Sequence, residues 1–143
     1  MVNQKGIELK VEIPEEELLA SVDKEALTKI LSNLFTNALK YAQTYAYLSL
    51  SVDEAGKEFT IVMSNDGKII PIVMRENIFR PFVQYRDGKD IVPGTGIGLA
   101  LARSLAELHQ GTLTMDQDME CNRFIFHSDT ASDGFGRFGR RTS

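Results

Sequence analysis

One long amphipathic segment, running from Asp23 to Leu39, limits most strongly what this chain can fold into. Its apolar residues recur at steps of three and four positions: Leu27, Ile30, Leu31, Leu34, Phe35, Ala38 and Leu39. This spacing predicts an α-helix with one apolar face, and Asp23 is a suitable N-cap for it. Such a helix buries its apolar face against another layer of the fold.

The other apolar segments mostly alternate with polar residues, which predicts strands. The predicted strands are residues 6–13, 45–53, 58–66, 112–118 and 123–128. Gly56 suits a hairpin turn between the second and third strands, and the last two read as a closing hairpin. A second helix is predicted over 99–109, with Gly111 at its C′ position, and a short one over 73–79. We therefore expect a two-layer α/β sandwich, with a mixed, mostly antiparallel sheet covered on one face by helices.

Composition restricts the class of protein. The 143 residues are 43% hydrophobic and 25% charged, which is ordinary for one globular domain. The net charge of −4 is spread along the chain, which argues against a nucleic-acid partner. Cys121 is the single cysteine, no apolar run approaches the roughly 18 to 20 residues of a membrane span, and the polar N-terminus excludes a secretory signal. We expect a cytoplasmic domain over 1–128 without direct membrane contact, and a tail over 129–143 that is disordered or a cloning remnant.

Three glycines, Gly94, Gly96 and Gly98, stand at alternate positions before the second helix. Glycine is required where φ is positive or where a group approaches the backbone too closely for a Cβ, and a helix N-terminus attracts phosphate. The spacing fits neither a dinucleotide fingerprint nor a P-loop. The run therefore indicates either a different phosphate cradle or a glycine-rich hinge.

Two asparagines in the first helix, Asn33 and Asn37, lie four residues apart and share a face with Lys29 and Lys40. Asparagine is a mediocre helix former, so a mid-helix pair suggests a use for its side chains, although a solvated polar face explains it equally well. An asparagine oxygen is a suitable ligand for Mg²⁺, which is usually held by few protein oxygens together with phosphates and waters.

Two further motifs follow the third strand. The turn Asn65-Asp66-Gly67 is either a simple loop turn or places an amide or carboxylate where it can read the edge of a base. Phe79 and Phe82 bracket Arg80-Pro81 and are expected to anchor the start of a long loop in the core.

Together, four of these segments resemble the ATP-binding catalytic domain of sensor histidine kinases. "LSNLFTNALKYA" resembles the N box, "SNDGKIIP" the first glycine box, "IFRPF" the F box and "PGTGIGLALARSLAELHQG" the second glycine box, in family order. The resemblance extends from Gly6 to Ser128 and includes the wider group of gyrase, heat-shock chaperone and MutL ATPases. It implies a Bergerat-type ATP-binding fold and a transferase of two-component signal transduction.

The resemblance also implies roles for the helical residues. Asn37 would coordinate Mg²⁺, Asn33 would support the metal or the phosphates, and Lys40 would reach a phosphate. Asn33 and Lys40 would thus be the catalytic residues, and Tyr41 would line the nucleotide pocket.

The remaining ATP contacts are implied to come from the loops. Asn65 falls on the position of the adenine-binding acid, with Gly67 beside it, and residues 84–93 would form a mobile lid in which Arg86 supplies the charge. The residues that would close over the phosphates are Gly94, Thr95, Gly96, Ile97, Gly98 and Leu99.

Several positions depart from the family pattern. Asn65 replaces the acid, so Asp66 becomes a second candidate to contact the adenine base. Ile69 replaces the second glycine of the first glycine box. Asn33 stands where hydrolases of the gyrase type carry a water-activating glutamate, and an amide cannot act as a general base. This difference argues against an ATP hydrolase.

The implied function is transfer of the γ-phosphoryl group of Mg-ATP to a histidine on a separate dimerisation domain, with a response regulator receiver domain downstream. Neither His109 nor His127 lies in a segment like that phosphoacceptor domain, and both are predicted to be structural. Two alternatives remain open: a protein-serine kinase of the anti-sigma-factor type, and a degenerate docking module, which the Asn65 and Ile69 substitutions favour.

Overall fold

The computed structural model describes residues 6–13, 24–52, 58–81, 98–116 and 120–129. Within these ranges, the two α-helices are α1 (Lys24–Tyr41) and α2 (Gly98–Leu108). Its strands are β1 (Glu8–Glu12), β2 (Tyr45–Val52), β3 (Glu58–Asn65), β4 (Thr112–Met115) and β5 (Asn122–Asp129).

The five strands form one sheet in the order β1-β2-β3-β5-β4. β1 pairs with β2 in parallel, whereas β2 with β3, β3 with β5, and β4 with β5 are antiparallel. Both predicted hairpin pairings are therefore present. The two-layer α/β fold with a mixed, mostly antiparallel sheet is confirmed.

The hydrophobic core of the described residues lies between the helices and one face of the sheet. Its fully buried side chains include Ile30 and Leu34 of α1, Met63 of β3, and Phe124 of β5. Edge-to-face ring contacts join neighbouring elements, with Phe79 and Phe124 centroids 6.1 Å apart. The apolar stripe of α1 thus packs on the inward-facing residues of the strands, as its spacing requires.

The end of α2 corrects one detail of the sequence prediction. Gln110, not Gly111, adopts the left-handed conformation, with φ of 64°. The Gly111 N–H donates to the Ala106 carbonyl at 2.8 Å and the Gln110 N–H donates to the Glu107 carbonyl at 3.1 Å, which is a Schellman motif with Gly111 at C″. A Cβ on Gly111 would lie 2.7 Å from the His127 carbonyl oxygen, so close approach explains this glycine.

The short helix predicted over 73–79 is two 3₁₀ turns, Ile72–Met74 and Asn77–Phe79. Their backbone bonds join residues three apart, as from the Met74 N–H to the Pro71 carbonyl. Arg80 is extended because the residue before a proline disfavours the helical region. The prediction of a single helix was wrong here.

Several predictions lie outside the described residues: the N-cap Asp23, the hairpin turn at Gly56, the loop residues Phe82 to Ile97, and the tail beyond 129. Within the described ranges, no helix is both long and apolar enough to cross a membrane. Inside the fold, α1 and α2 pack against each other, and this contact places the candidate site.

Candidate functional site

The N-terminus of α2 lies against the polar face of α1. A Cβ added to Gly98 would be 2.8 Å from Asn33 Oδ1, so the absence of a side chain permits this approach. Asn33 is oriented by its own helix, since its Nδ2 donates to the Lys29 carbonyl at 2.9 Å. The first N–H groups of α2 have no partner within the helix and carry its positive dipole end. Gly98 and Asn33 therefore define one end of a polar site.

One turn further along α1, the Asn37 side chain is half-buried and has no hydrogen-bond partner among the described residues. Lys40 lies on the same helix, with its Nζ 5.3 Å from the centre of the Tyr41 ring. A helical rise of 1.5 Å per residue separates Asn33 from Tyr41 by about 12 Å. The structure thus brings these four predicted residues onto one stretch of α1.

At the far end of that stretch, the loop after β3 packs beneath the end of α1. A Cβ on Gly67 would lie 2.2 Å from the Tyr41 carbonyl oxygen and 2.8 Å from Asn65 Oδ1. Only glycine fits, because the first of these neighbours is backbone. The contact joins the Asn65–Gly67 turn to the α1 face that carries Asn33 and Asn37.

Asp66 fastens the same turn to the connection between α1 and β2. Its carboxylate accepts hydrogen bonds from the backbone N–H groups of Gln43, Thr44 and Tyr45 at 2.9 to 3.1 Å, and from the Thr44 hydroxyl. Burial raises the pKa of Asp66, but these hydrogen bonds outweigh burial and lower the pKa to about 2. Both carboxylate oxygens are engaged within the protein, so Asp66 holds the turn in place.

Asn65 is fully buried at the end of β3. Its Oδ1 accepts the Gly67 N–H at 2.8 Å and faces Asn122 Nδ2 at 3.4 Å. Asn122, equally buried, also bonds the backbone at Lys68 and Ile70. Two amides therefore shape the whole loop from Gly67 to Ile70.

A contact between α2 and the segment before the predicted lid holds Glu76 and Phe79 in place. The Arg103 guanidinium of α2 lies 4.4 Å from the centre of the Phe79 ring and donates to both oxygens of Glu76, at 2.5 and 3.2 Å. The hydrogen bonds from Arg103, opposed by burial and aided by its charge, lower the pKa of Glu76. Phe79 has the packing role that the sequence predicted.

Sequence reasoning missed three residues that support the site: Asn122, Arg103 and Arg75. The Arg75 side chain is buried and donates to the carbonyls of Ile70 and Asp116. Arg75 and Arg103 are charges within apolar segments, a signal that can be read from sequence. Asn122 gives no such signal, because its role depends on the register that sets it opposite Asn65.

Both histidines are engaged within the fold. His109 Nδ1 lies 2.9 Å from the Leu105 carbonyl oxygen. His127 lies between Thr60 Oγ1, 3.0 Å from its Nδ1, and Glu58 Oε1, 2.7 Å from its Nε2. These contacts are in keeping with the structural roles predicted for both.

The family described as histidine kinase-, DNA gyrase B- and HSP90-like ATPase matches residues 22–132. The chain belongs to this ATPase family. Among its curated relatives, the sensor histidine kinase TmoS of Ectopseudomonas mendocina is 34% identical over 118 residues, which cover 80% of this chain and 12% of TmoS. The sensor protein RstB of Escherichia coli (strain K12) is 35% identical over 109 residues, covering 75% of this chain and 25% of RstB. The chain thus spans a quarter or less of the length of these relatives.

Solved structures show the same fold. A mycobacterial sensor histidine kinase, MprB, superposes with a TM-score of 0.76 at 20% identity, over 97% of this chain and 88% of that one. The catalytic domain of histidine kinase ThkA gives 0.75 at 24% identity, over 89% and 81%. Full-length ShkA in complex with AMPPNP gives 0.73 at 25% identity, over 92% and 27%. This is a histidine kinase-type ATPase domain, related to those of sensor kinases.

Proposed function

We propose that this domain binds Mg-ATP between α1 and α2 and donates the γ-phosphoryl group to a histidine on a separate phosphoacceptor domain. The observation that carries the proposal is the close approach of Gly98, at the N-terminus of α2, to Asn33 on the polar face of α1. Unpaired helix N–H groups beside amide side chains suit a triphosphate. ShkA, a structural relative, was solved with an ATP analogue, AMPPNP.

The two ends of the site suit the two ends of the nucleotide. We assign the triphosphate to the Gly98 and Leu99 amides, together with Asn33 and Lys40. The base lies at the other end, beside Tyr41, Gly67 and Asn65. The glycine-rich residues 94–97 and Arg86, outside the described ranges, complete the phosphate side of this proposal.

Asn37 fits a magnesium ligand by its chemistry. Its amide has no partner among the described residues, it shares a face with Asn33, and amide oxygens are ligands that Mg²⁺ accepts alongside phosphates. Magnesium, when bound with ATP, neutralises phosphate charge. Asn37 holds the ion, and Lys40 adds a second positive charge near the phosphates.

The side chains present favour transfer over hydrolysis. Phosphoryl transfer depends mainly on positioning and charge stabilisation, which amides, a lysine and helix N–H groups provide. Asn33 cannot activate water as a general base. We further propose that the parent protein is a sensor kinase with this domain in the cytoplasm and a response regulator as its downstream partner.

A chimera tests the transfer directly. The matching region of RstB is replaced by this chain, and the chimera is incubated with Mg²⁺ and ATP labelled at the γ-phosphate. We expect an acid-labile, base-stable label on histidine. Lys40→Met should abolish the label, whereas Lys29→Met, a matched change at an exposed lysine on the same helix face, should retain it.

Two results would contradict the proposal. A folded chimera that binds Mg-ATP but labels no histidine would favour the docking module. An acid-stable label on serine would favour the anti-sigma-factor type of kinase. Native RstB serves as the positive control.

A further inference from the structure

The buried amide pair at the base end of the site has a fixed orientation. Asn65 and Asn122 are each 1% exposed and lie opposite each other in the register of β3 and β5. A side-chain amide presents an acceptor oxygen on one side and a donor NH₂ on the other, so its orientation decides what a ligand meets.

Backbone groups set the orientation of Asn122. Its Oδ1 accepts the Ile70 N–H at 2.9 Å, and its Nδ2 donates to the Lys68 carbonyl at 2.9 Å. Reversing the amide would place its NH₂ against an N–H and its oxygen against a carbonyl, which would lose both bonds. Asn122 therefore turns its NH₂ toward Asn65.

The orientation of the Asn65 amide follows from that of Asn122. Two donors, the Gly67 N–H at 2.8 Å and Asn122 Nδ2 at 3.4 Å, converge on Asn65 Oδ1. The oxygen is thus committed to the loop, and Nδ2 is the group that remains. Among the residues described, no acceptor is bonded to this Nδ2. A buried donor without an acceptor is unfavourable, so a ligand oxygen or ring nitrogen that accepts from this Nδ2 would be stabilised.

Asp66, the neighbouring acid, does not offer the nucleobase an acceptor in place of the Asn65 donor. Asp66 uses both carboxylate oxygens on the backbone N–H groups of residues 43–45 and on the Thr44 hydroxyl. Turning this carboxylate toward a nucleobase would break these hydrogen bonds. The base end of the site accordingly offers a donor from Asn65.

We propose that Asn65 reads the purine base through its Nδ2 donor, so that the site accepts a purine with a carbonyl at position 6 at least as well as adenine. This inference rests on the proposed function, since it requires the nucleotide to bind with its base at Asn65. Adenine carries an amine at position 6, which needs an acceptor, and can meet the Asn65 donor only through a ring nitrogen. Hypoxanthine and guanine carry a carbonyl oxygen there, which matches the donor.

The test compares ATP with inosine triphosphate, whose base differs from adenine only at position 6 and in the proton on the adjacent ring nitrogen. Dissociation constants are measured calorimetrically with Mg²⁺ for the wild-type chain and for Asn65→Asp. We expect the wild type to bind inosine triphosphate at least as tightly as ATP, to within about threefold, and Asn65→Asp, which restores an acceptor, to favour ATP by about tenfold or more, or about 1.4 kcal/mol.

Gln110→Glu makes the same amide-to-acid change at an exposed residue just beyond the end of α2 and should leave the wild-type ratio unchanged. A wild type that prefers ATP by more than about threefold overturns the inference, and this ratio alone decides the matter if Asn65→Asp does not fold. Binding of neither nucleotide at millimolar concentration refutes the proposed function and the inference together. Tight binding with the wrong ratio refutes only the inference.

Discussion

Replacing Asp66 by asparagine should destabilise the domain near neutral pH and much less in acid. The wild-type carboxylate accepts three backbone N–H groups and one hydroxyl across the connection from α1 to β2. Asparagine keeps one acceptor oxygen but turns an NH₂ group toward these donors. The charge that strengthens the hydrogen bonds is also lost.

The magnitude follows from the pKa. Burial raises the pKa of Asp66, but the hydrogen bonds together outweigh burial and lower the pKa from 3.8 to about 2. At about 1.4 kcal/mol per tenfold change in acidity, the shift corresponds to at most about 2.5 kcal/mol. Solvent screening at this partly exposed carboxylate reduces the expected loss to about 1 kcal/mol. Because the folded-state pKa is depressed, the stabilisation is present above pH 3.8 and is lost as the pH falls through about 2.

Urea unfolding of the wild type and Asp66→Asn across this range measures the difference. We expect a gap of about 1 kcal/mol at neutral pH that closes as the pH approaches about 2. Glu8→Gln, an exposed carboxylate whose ion pair with Lys10 is 3.9 Å long, serves as the control and should show a much smaller gap. A gap that does not change with pH, or no gap at neutral pH, would show that the charge of Asp66 does not stabilise the fold through these hydrogen bonds.

Three further changes test the packing around the site. Gly67→Ala should cost about 2 to 3 kcal/mol in urea unfolding, because its Cβ would meet the Tyr41 carbonyl at 2.2 Å; wild-type stability would disprove this approach. Gly98→Ala should change the free energy of unfolding by less than about 1 kcal/mol, because the short Asn33 side chain can rotate away. The same substitution should weaken ATP binding in calorimetry, and an unchanged affinity would count against a role for Asn33 in the site. Arg103→Met should cost about 1 kcal/mol through the lost ion pair and ring contact, and a melting temperature equal to that of the wild type would show that neither contributes.

Much of the fold was predictable because its signals are local. The apolar spacing of α1 and the alternation of the strands follow from periods that each segment shows by itself. The helix predicted over 73–79 failed because the choice between i→i+3 and i→i+4 bonding depends on the packing of its ends, including buried Ile78 and Phe79. Gly111 was misplaced by one position because Gln110 tolerates the left-handed conformation.

The site was predictable where one helix carries it and less so where strands meet. Asn33 and Asn37 lie on one face of α1 whatever that helix packs against, so their spacing in the sequence was enough to place them together. Asn122 supports Asn65 across 57 residues of sequence, and only the pairing of β3 with β5 reveals it. From the sequence, Asp66 is a candidate to contact the nucleobase. In the structure, its carboxylate instead accepts hydrogen bonds from the connection between α1 and β2.

Calorimetric titration of ADP and a non-hydrolysable ATP analogue, with and without Mg²⁺, tests whether this domain binds a magnesium nucleotide through Asn37. Three proteins are compared: the wild type, Asn37→Ala, and Thr36→Ala as a control at the adjacent exposed position. We expect the wild type and Thr36→Ala to bind in a magnesium-dependent manner and Asn37→Ala to lose this dependence. Absence of binding by the wild type at millimolar nucleotide would contradict the proposed function.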